Sequence, residues 1–293
     1  MSCITLTFCD CSENHVGMEQ NGSKSSRGYS SSDLDKACAF FKDKGKQIER
    51  INLNDYMNIT VDDKNLENMD VIKAAILQKK LGNKQKGIPY SDYAPKYKYN
   101  GPRAEILIVR NALDATDSDL VFEEIASLEW DRKYLCPRRK KVLNKHARAN
   151  LCFSEESQEP DYINKKGRIV GYNEVPKLKE LKTMIETSLD ETEQIECEGN
   201  LYDDVNKNGI GWHGDSERRK VVGVRIGKSM PLCYRWFHLG SPIGTQFTIQ
   251  LNHGDLYIMS DKAVGNDWKK KLIPTLRHSA GAAKYTMKYN EIQ

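Results

Sequence analysis

The sequence predicts an α+β protein in which a C-terminal β-sandwich or β-barrel with flanking helices follows a small N-terminal α/β unit. Strand-like and helix-like segments alternate before residue 82, and a stretch without periodicity follows them. From Gly199 onward, short apolar segments are separated by Gly and Pro, as is typical of sandwiches and barrels. The length of 293 residues suffices for one large β domain and a smaller unit.

The N-terminal unit is predicted to span residues 1–81. Its expected elements, in order, are a strand at 3–8, a helix from Ser32 to Gly45, a strand at 47–53 and an amphipathic helix at 66–81. Residues 82–103 carry Pro, Gly, Lys and Tyr without periodicity, which predicts a linker or an arm that lies on the next domain. The pattern of this unit indicates no function.

The main domain is predicted to span residues 104–293. It begins with a strand at 105–110, and helices are expected at 117–128 and 176–189. The short strands that follow are expected at 210–213, 220–227, 232–237, 245–251, 255–259 and 283–289.

The composition is that of a globular protein outside the membrane, with 39% hydrophobic and 29% charged residues. No apolar run reaches the roughly 18 residues that a membrane-spanning helix needs. The first residues lack a basic region ahead of a long apolar stretch, so we expect no secretory signal. We therefore expect a monomer in the cytoplasm or nucleus, with its eight scattered cysteines reduced.

Positive charge is concentrated in one segment, although the net charge is only +4. From Asp131 to Arg148 there are eight Lys or Arg, and Asp131 itself is the one acidic residue. Such clustering indicates a polyanionic partner more strongly than the total charge does. The candidate phosphate-binding residues are Arg138, Arg139, Lys140 and Lys141; the alternative is a solvated charged helix or loop.

The strongest chemical signal is the segment Ile210-Gly-Trp-His213-Gly-Asp215. On a strand, side chains two residues apart lie on the same face, so His213 and Asp215 point the same way. One imidazole and one carboxylate from a strand, with a distant histidine, form the triad of non-haem iron oxygenases. That triad leaves adjacent coordination positions open. Taken alone, His-x-Asp is also compatible with a surface turn.

Other segments give this short motif a context. Asn200-Leu-Tyr202 precedes it, the run continues to Glu217, and His253-Gly-Asp255 opens a later apolar segment. In this order they resemble the AlkB branch of the 2-oxoglutarate/Fe(II)-dependent dioxygenases, over roughly residues 105–293. The resemblance implies a double-stranded β-helix, or jelly roll, with Fe(II) at its mouth. It also implies 2-oxoglutarate and O2 as co-substrates.

The third metal ligand departs from the family pattern. Close AlkB relatives carry it in W-x-H-x-x-P, but Lys270 stands at that position between Trp268 and Pro274. We therefore assign His278, which is the only histidine after His253. His253 matches a histidine of the family that is not a ligand, and we expect it in a turn.

The residues for 2-oxoglutarate also depart from the family pattern. The family ends with R-x-N-x-T-F-R, whose arginines bind both carboxylates, and the final segment here offers Lys284 and Lys288. Lysine supplies charge without the planar fork of arginine, so Arg225 is a third candidate. By resemblance, Asn200 and Tyr202 hydrogen-bond the distal carboxylate. The alternatives are solvated lysines on an edge strand and a core tyrosine beside a turn asparagine.

Three functions remain open from the sequence. The first is hydroxylation or demethylation of a DNA or RNA base, because the basic segment lies where AlkB-like proteins carry their nucleotide-recognition lid. Trp130 or Tyr134 would supply a stacking face for that base. The second is hydroxylation of a protein side chain by the same triad. The third is a binding module of the same fold without the metal.

Overall fold

The computed structural model describes residues 2–57, 101–287 and 289. The chain is an α+β protein with one eight-stranded mixed sheet, one four-stranded antiparallel sheet and two short hairpins. The predicted helix 66–81 and most of the predicted arm 82–103 lie outside the described residues. Among the described helices, none is long and apolar enough to cross a bilayer.

The strands and helices of the described residues are numbered in chain order. The strands are β1 Cys3–Cys9, β2 Cys11–Glu13, β3 Gln20–Gly22, β4 Gln47–Asn52, β5 Glu105–Arg110, β6 Lys133–Cys136, β7 Lys141–Asn144, β8 Ala149–Ser154, β9 Ile169–Gly171, β10 Glu196–Tyr202, β11 Gly209–His213, β12 Val221–Gly227, β13 Met230–His238, β14 Ser241–Leu251, β15 Leu256–Met259 and β16 Thr275–Gly281. The helices are α1 Ser31–Asp43, α2 Ala115–Ala126, α3 Pro176–Leu189, α4 Asp261–Val264 and α5 Ala283–Thr286.

The large sheet has the strand order β4-β5-β15-β12-β1-β10-β8-β9. Strand β1 lies in its middle, antiparallel to β10 on one side and to β12 on the other. Strand β4 pairs with β5 at the edge of the same sheet. The described residues up to 57 therefore share a sheet with the main domain. For these residues, this corrects the prediction of a separate unit at 1–81. Local alternation predicts the strand β1 but carries no information on which distant strands flank it.

The two faces of the large sheet are covered by different layers. The even-numbered side chains of β1 (Ile4, Leu6 and Phe8) join a core to which α1, α2 and α3 contribute. On the other face, β5 and β15 share a second core with the small sheet, through residues such as Tyr257, Leu232 and Trp236. The small sheet has the order β11-β16-β13-β14. The resulting layers are helices, large sheet and small sheet, with apolar burial driving each contact.

The three longer helices follow the sequence prediction closely. Helix α3 occupies the predicted residues, with Pro176 at its first turn, where a missing N–H is tolerated. The N-cap of helix α1 is Ser30, two residues before the expected Ser32, because Ser30 and Asp33 form a reciprocal capping box. That arrangement satisfies backbone N–H groups at the start of the helix.

The predicted strand 283–289 is wrong. Residues Ala283–Thr286 form the short helix α5, and the last strand of the small sheet is β16 at Thr275–Gly281. The inward-facing side chains of β16 are Leu276, His278 and Ala280. A buried histidine and a small alanine replace the apolar residues on which strand prediction depends, so the alternation is hidden.

Candidate metal centre

Two neighbouring strands of the small sheet bring the predicted metal ligands together. His213 at the end of β11 is the register partner of His278 on β16, and a bulge precedes it. The two imidazole centroids are 4.4 Å apart. Asp215 follows His213 by two residues, and its backbone N–H donates to Val264 O at 3.1 Å. The loop after β11 thus turns the carboxylate towards both rings.

The distances within this group fit a metal ion. Asp215 Oδ1 lies 3.5 Å from His213 Nε2 and 3.7 Å from His278 Nε2. One ligand atom from each residue lies within 4.8 Å of the others. Three ligands at ~2.0–2.2 Å from one ion, on one face of an octahedron, lie roughly 3 Å apart. The predicted convergence of His213, Asp215 and His278 is confirmed, and the largely buried group can hold a metal ion.

Glycine between the two ligands is required by packing. A Cβ on Gly214 would lie 2.2 Å from Gly265 O and 2.8 Å from the Trp268 side chain. Any larger residue would push the loop away from α4 and displace Asp215. The glycine in His-Gly-Asp therefore sets the position of the carboxylate.

The protonation state of His278 and the orientation of the His213 ring suit metal binding. Burial, with His213 and Arg218 nearby, lowers the pKa of His278 well below its ordinary value, so this ring is neutral. His213 Nδ1 lies 2.7 Å from Gly211 O, a contact that leaves Nε2 free to face Asp215. A neutral ring with an available Nε2 lone pair is the form that binds metals.

A buried ion pair between Arg218 and Glu198 lies next to Asp215. Arg218 Nη2 donates to Glu198 Oε2 at 2.6 Å, and Arg218 Nε lies 3.9 Å from Asp215 Oδ2. Burial raises the pKa of Glu198, but Arg218 outweighs that effect and keeps the carboxylate ionised. Glu217 also contacts Arg218, at 3.0 Å. Arg218 is not among the residues predicted from the sequence. The available signal is its position, three residues after the ligand Asp215 and just before the buried strand β12.

The three ligands line a cavity of about 1110 Å³ that lies between the two sheets. Away from the ligands, its wall includes Arg225, Thr5, Tyr202 and Tyr257. Arg225 is 1% exposed, and its Nη1 donates to Thr5 Oγ1 and, at 3.3 Å, to Cys3 Sγ. Its Nε has no hydrogen-bond partner in the described part of the chain. An ionised fork with a free donor in a cavity is suited to a carboxylate.

Tyr257 reaches this part of the cavity across a glycine. It is the register partner of Gly223 on β12, and a Cβ on Gly223 would lie 2.0 Å from Tyr257 Cζ. Burial raises the pKa of the Tyr257 phenol to about 12, so its hydroxyl keeps its proton. Burial also raises the pKa of Tyr202. Both phenols are therefore hydrogen-bond donors in the cavity wall.

The other predicted co-substrate residues occupy different settings. Asn200 lines the cavity, but its Oδ1 accepts from Arg148 Nε at 2.5 Å and Asn150 Nδ2 at 2.8 Å. Its Nδ2 donates to Glu198. Lys284 is exposed on α5 and lines the cavity without being enclosed by it. Lys288 lies outside the described residues. His253 lies in the expected turn, where its Nδ1 accepts from Gly227 N at 2.8 Å.

The basic segment forms a hairpin of β6 and β7. Arg138, Arg139 and Lys140 occupy its turn, and Lys141 begins β7; all four are exposed. Tyr134 on β6 stacks on His15 with ring centroids 3.7 Å apart. His15 and Val16 line the cavity, so the hairpin adjoins the cavity through this stack. The sequence predicts the charge but neither strand of the hairpin.

Comparison with known proteins gives one informative relationship. No family model matches the chain. Over 283 residues the chain is 40% identical to "Uncharacterized protein R156" of Acanthamoeba polyphaga mimivirus, and the alignment covers 96% of each sequence.

Proposed function

The chain belongs to the family of the mimivirus protein R156, and we propose that it is an Fe(II)- and 2-oxoglutarate-dependent dioxygenase. One observation carries this proposal: two histidines and an aspartate converge within 4.8 Å at the wall of a cavity that also contains a buried arginine. Two imidazoles and one carboxylate are the ligand set of non-haem Fe(II) oxygenases. A buried arginine in the wall of the same cavity is suited to a carboxylate co-substrate.

We also propose that the large and small sheets together form a double-stranded β-helix. The sequence of β1, Cys3-Ile-Thr-Leu-Thr-Phe-Cys9, supports it. It matches the R-x-N-x-T-F-R pattern of the AlkB-like final strand at Thr7 and Phe8, and cysteines stand at both arginine positions. We infer that β1 takes the role of that final strand from the other end of the chain.

Two arginines from outside β1 compensate for the cysteines. Arg225 Nη1 lies 3.3 Å from Cys3 Sγ, and Arg218 Nη1 lies 3.4 Å from Cys9 Sγ. Each guanidinium therefore occupies the space next to a position where the AlkB-like pattern has arginine. Arg218 is already bound by Glu198 and Glu217. Arg225 retains an Nε without a partner among the described residues, so we assign Arg225 to the distal carboxylate of 2-oxoglutarate.

Each side chain then has a role in the proposed reaction. His213, Asp215 and His278 would hold Fe(II), which together with 2-oxoglutarate and O2 would supply the oxidation of a substrate C–H bond, with succinate and CO2 as by-products. Arg225, assisted by the hydroxyls of Tyr202 and Tyr257, orients the co-substrate in the cavity. Arg218 offsets the negative charge of Asp215 and Glu198.

We further propose that the substrate is a nucleic-acid base. The exposed hairpin turn at Arg138–Lys141 offers phosphate contacts, and Lys24, Arg148 and Lys269 add positive charge along the cavity. Trp212 and Trp268 also line the cavity and offer aromatic faces for stacking. Hydroxylation of a protein side chain and metal-free binding are the alternatives that the experiments must separate.

The test measures succinate formation from 2-oxoglutarate by the Fe(II)-loaded protein. Asp215→Ala is expected to abolish it. Arg225→Cys is expected to raise the apparent KM for 2-oxoglutarate by about 30-fold or more with a smaller change in kcat, because a charged hydrogen bond is lost. Cys3→Arg placed in the Arg225→Cys protein is expected to restore much of the affinity, because it returns a guanidinium to the same space.

Lys284→Ala is the matched control for the arginine assignment, and its KM is expected to equal that of the wild type. A larger effect of Lys284→Ala than of Arg225→Cys would move the anchor to α5. Absence of Fe(II)-dependent succinate formation, together with metal-independent ligand binding, would instead favour the metal-free binding module.

A further inference from the structure

Tyr234 carries a buried hydroxyl for which the described part of the chain provides no partner. The residue lies on β13 and is 1% exposed. Its Oη forms no hydrogen bond with any of the described residues. Leaving a buried polar group unpaired is unfavourable, and phenylalanine at this position would avoid that cost. We therefore expect this hydroxyl to have a hydrogen-bond acceptor.

The side chain of Tyr234 lies beside one metal ligand, His278. Tyr234 is the register partner of His278 across β13 and β16, and the two ring centroids are 5.9 Å apart. His278 Nε2 in turn lies 3.7 Å from Asp215 Oδ1. A phenol, with its ordinary pKa of about 10, keeps its proton at neutral pH, so the Tyr234 hydroxyl is a hydrogen-bond donor beside the ligand that faces the Asp215 carboxylate.

The Asp215 carboxylate, in turn, receives no hydrogen bond from the described residues. Its oxygens face His213, His278 and Arg218 at 3.5, 3.7 and 3.9 Å. Those contacts are electrostatic, and none of them is a hydrogen bond among the described residues. Carboxylates that bind metals are commonly held by a hydrogen-bond donor, which fixes their orientation. The His213 ring has such a partner in Gly211 O, whereas the Asp215 carboxylate has none in the described ranges.

We propose that Tyr234 is a positioning residue of the metal centre, whose hydroxyl donates a hydrogen bond to the Asp215 carboxylate when the three ligands gather around a metal ion. The inference rests on the metal site of the proposed function and adds a residue to it. It explains why a tyrosine, whose hydroxyl has no partner among the described residues, lies in an apolar layer that would accept phenylalanine. Tyr234 touches neither substrate nor co-substrate in this assignment; it acts through Asp215.

The experiment compares Tyr234→Phe with the wild type in Co²⁺ titrations under conditions where the metal absorption reports the ligand geometry. The dissociation constant for Co²⁺ is expected to rise about tenfold, the lower end of the loss seen when a ligand's hydrogen-bond partner is removed. The unfolding temperature of the metal-free variant is expected to equal or exceed that of the wild type, because an unpaired buried hydroxyl has been removed.

Tyr172→Phe is the matched control. Tyr172 is fully buried, and its hydroxyl lies 3.5 Å from Ile195 O, away from the cavity. This variant is expected to bind Co²⁺ like the wild type. It therefore separates a general effect of losing a buried phenol from an effect at the metal.

Three results would overturn the assignment of Tyr234. One is unchanged Co²⁺ affinity in Tyr234→Phe. Another is a loss of stability in the metal-free variant, which would mean that the hydroxyl has a purely structural role. The third is weakened 2-oxoglutarate binding at unchanged Co²⁺ affinity, which would place the hydroxyl on the co-substrate. Equal Co²⁺ affinity of wild type and His213→Ala would overturn the metal site itself, and the Tyr234 inference with it.

Discussion

His278 illustrates how burial selects the chemical form of a single residue. The residue is 6% exposed, with His213 and the Arg218 guanidinium nearby. Burial, together with these neighbours, disfavours protonation, so the pKa of His278 lies well below the ordinary value of 6.5. The ring is consequently neutral at the pH of the cell, without any need for a metal to displace a proton.

This shift predicts how the metal-free protein responds to acid. Below about pH 6.5 the unfolded chain binds a proton at His278 that the folded chain does not, so the free energy of unfolding falls as the pH is lowered. The contribution of this residue is present above that pH and decreases by up to about 1.4 kcal/mol per pH unit below it. Urea unfolding of the wild type and His278→Gln between about pH 7 and pH 5 measures it.

The glutamine variant is expected to have a shallower pH dependence than the wild type over that range. Parallel curves for the two proteins would mean that His278 is protonated in the folded state. That result would contradict the neutral ligand inferred from its burial.

The sequence predicts the residues with distinctive chemistry but not those whose role comes from a neighbour. His213 and Asp215 stand out as a His-x-Asp pair, His278 follows as the later histidine that the AlkB-like resemblance requires, and Arg225 is one of three basic candidates for the co-substrate. Tyr234 and Tyr257 do not stand out, because a tyrosine in an apolar strand is ordinarily a core residue. Their proximity to the centre depends on strand register, which one sequence does not specify.

At the scale of elements, the contact between Gly223 and Tyr257 joins two strands of the large sheet. Tyr257 on β15 lies over Gly223 on β12, in the space where any larger side chain would have its Cβ. The absence of a side chain at 223 therefore lets the phenol reach the part of the cavity that contains Arg225. Glycine in a strand interior is otherwise unfavourable.

This contact predicts a strong and specific coupling. Gly223→Ala is expected to destabilise the protein by about 1–3 kcal/mol, because the added methyl group overlaps the Tyr257 ring. In a Tyr257→Ala protein the same change is expected to cost much less, since the ring is absent. Denaturant unfolding of the two single variants and the double variant gives the coupling energy. Additive effects would show that the strands move apart and that the ring does not determine the choice of glycine.

Element prediction succeeds where periodicity is visible and fails where inward residues are polar or small. Helix α3 and strand β5 are predicted with their observed ends, because their apolar residues form clear patterns. Strand β16 is missed because His278 and Ala280 occupy inward positions. Strand β1 is predicted, but its partners are β10 and β12, whose residues lie far along the chain. Local patterns define a strand and leave its place in a sheet open.

At the scale of the whole molecule, the basic hairpin and the cavity lie on the same side of the large sheet. The helices α1, α2 and α3 cover one face of the large sheet, and the cavity lies on the other face, beside the basic hairpin. A nucleic acid would meet the exposed turn at residues 138–141 on its way to the cavity. Its phosphates would displace counterions there, so binding would weaken with salt.

This arrangement predicts the effect of reversing four charges. The variant in which Glu replaces Arg138, Arg139, Lys140 and Lys141 is expected to bind single-stranded oligonucleotides more weakly. The slope of log association constant against log salt concentration is expected to become shallower by roughly 3. The control reverses Lys36, Lys42, Lys44 and Lys46, which lie on or just after α1, and is expected to have little effect. Succinate formation without oligonucleotide is expected to persist in both. Salt-insensitive binding by the wild type, with hydroxylation of a peptide, would favour the protein-hydroxylase alternative.

The place of β1 also governs how the chain is made. Residues Cys3–Cys9 leave the ribosome well before Glu196–Tyr202 and Val221–Gly227, the strands with which they pair. At typical synthesis rates of about 5–20 residues per second, an apolar strand waits on the order of 10–40 s before its partners emerge. Folding of the large sheet is therefore completed only late in translation. Until then β1 is an exposed, strand-forming segment, and a chaperone that binds nascent chains would find an early site there.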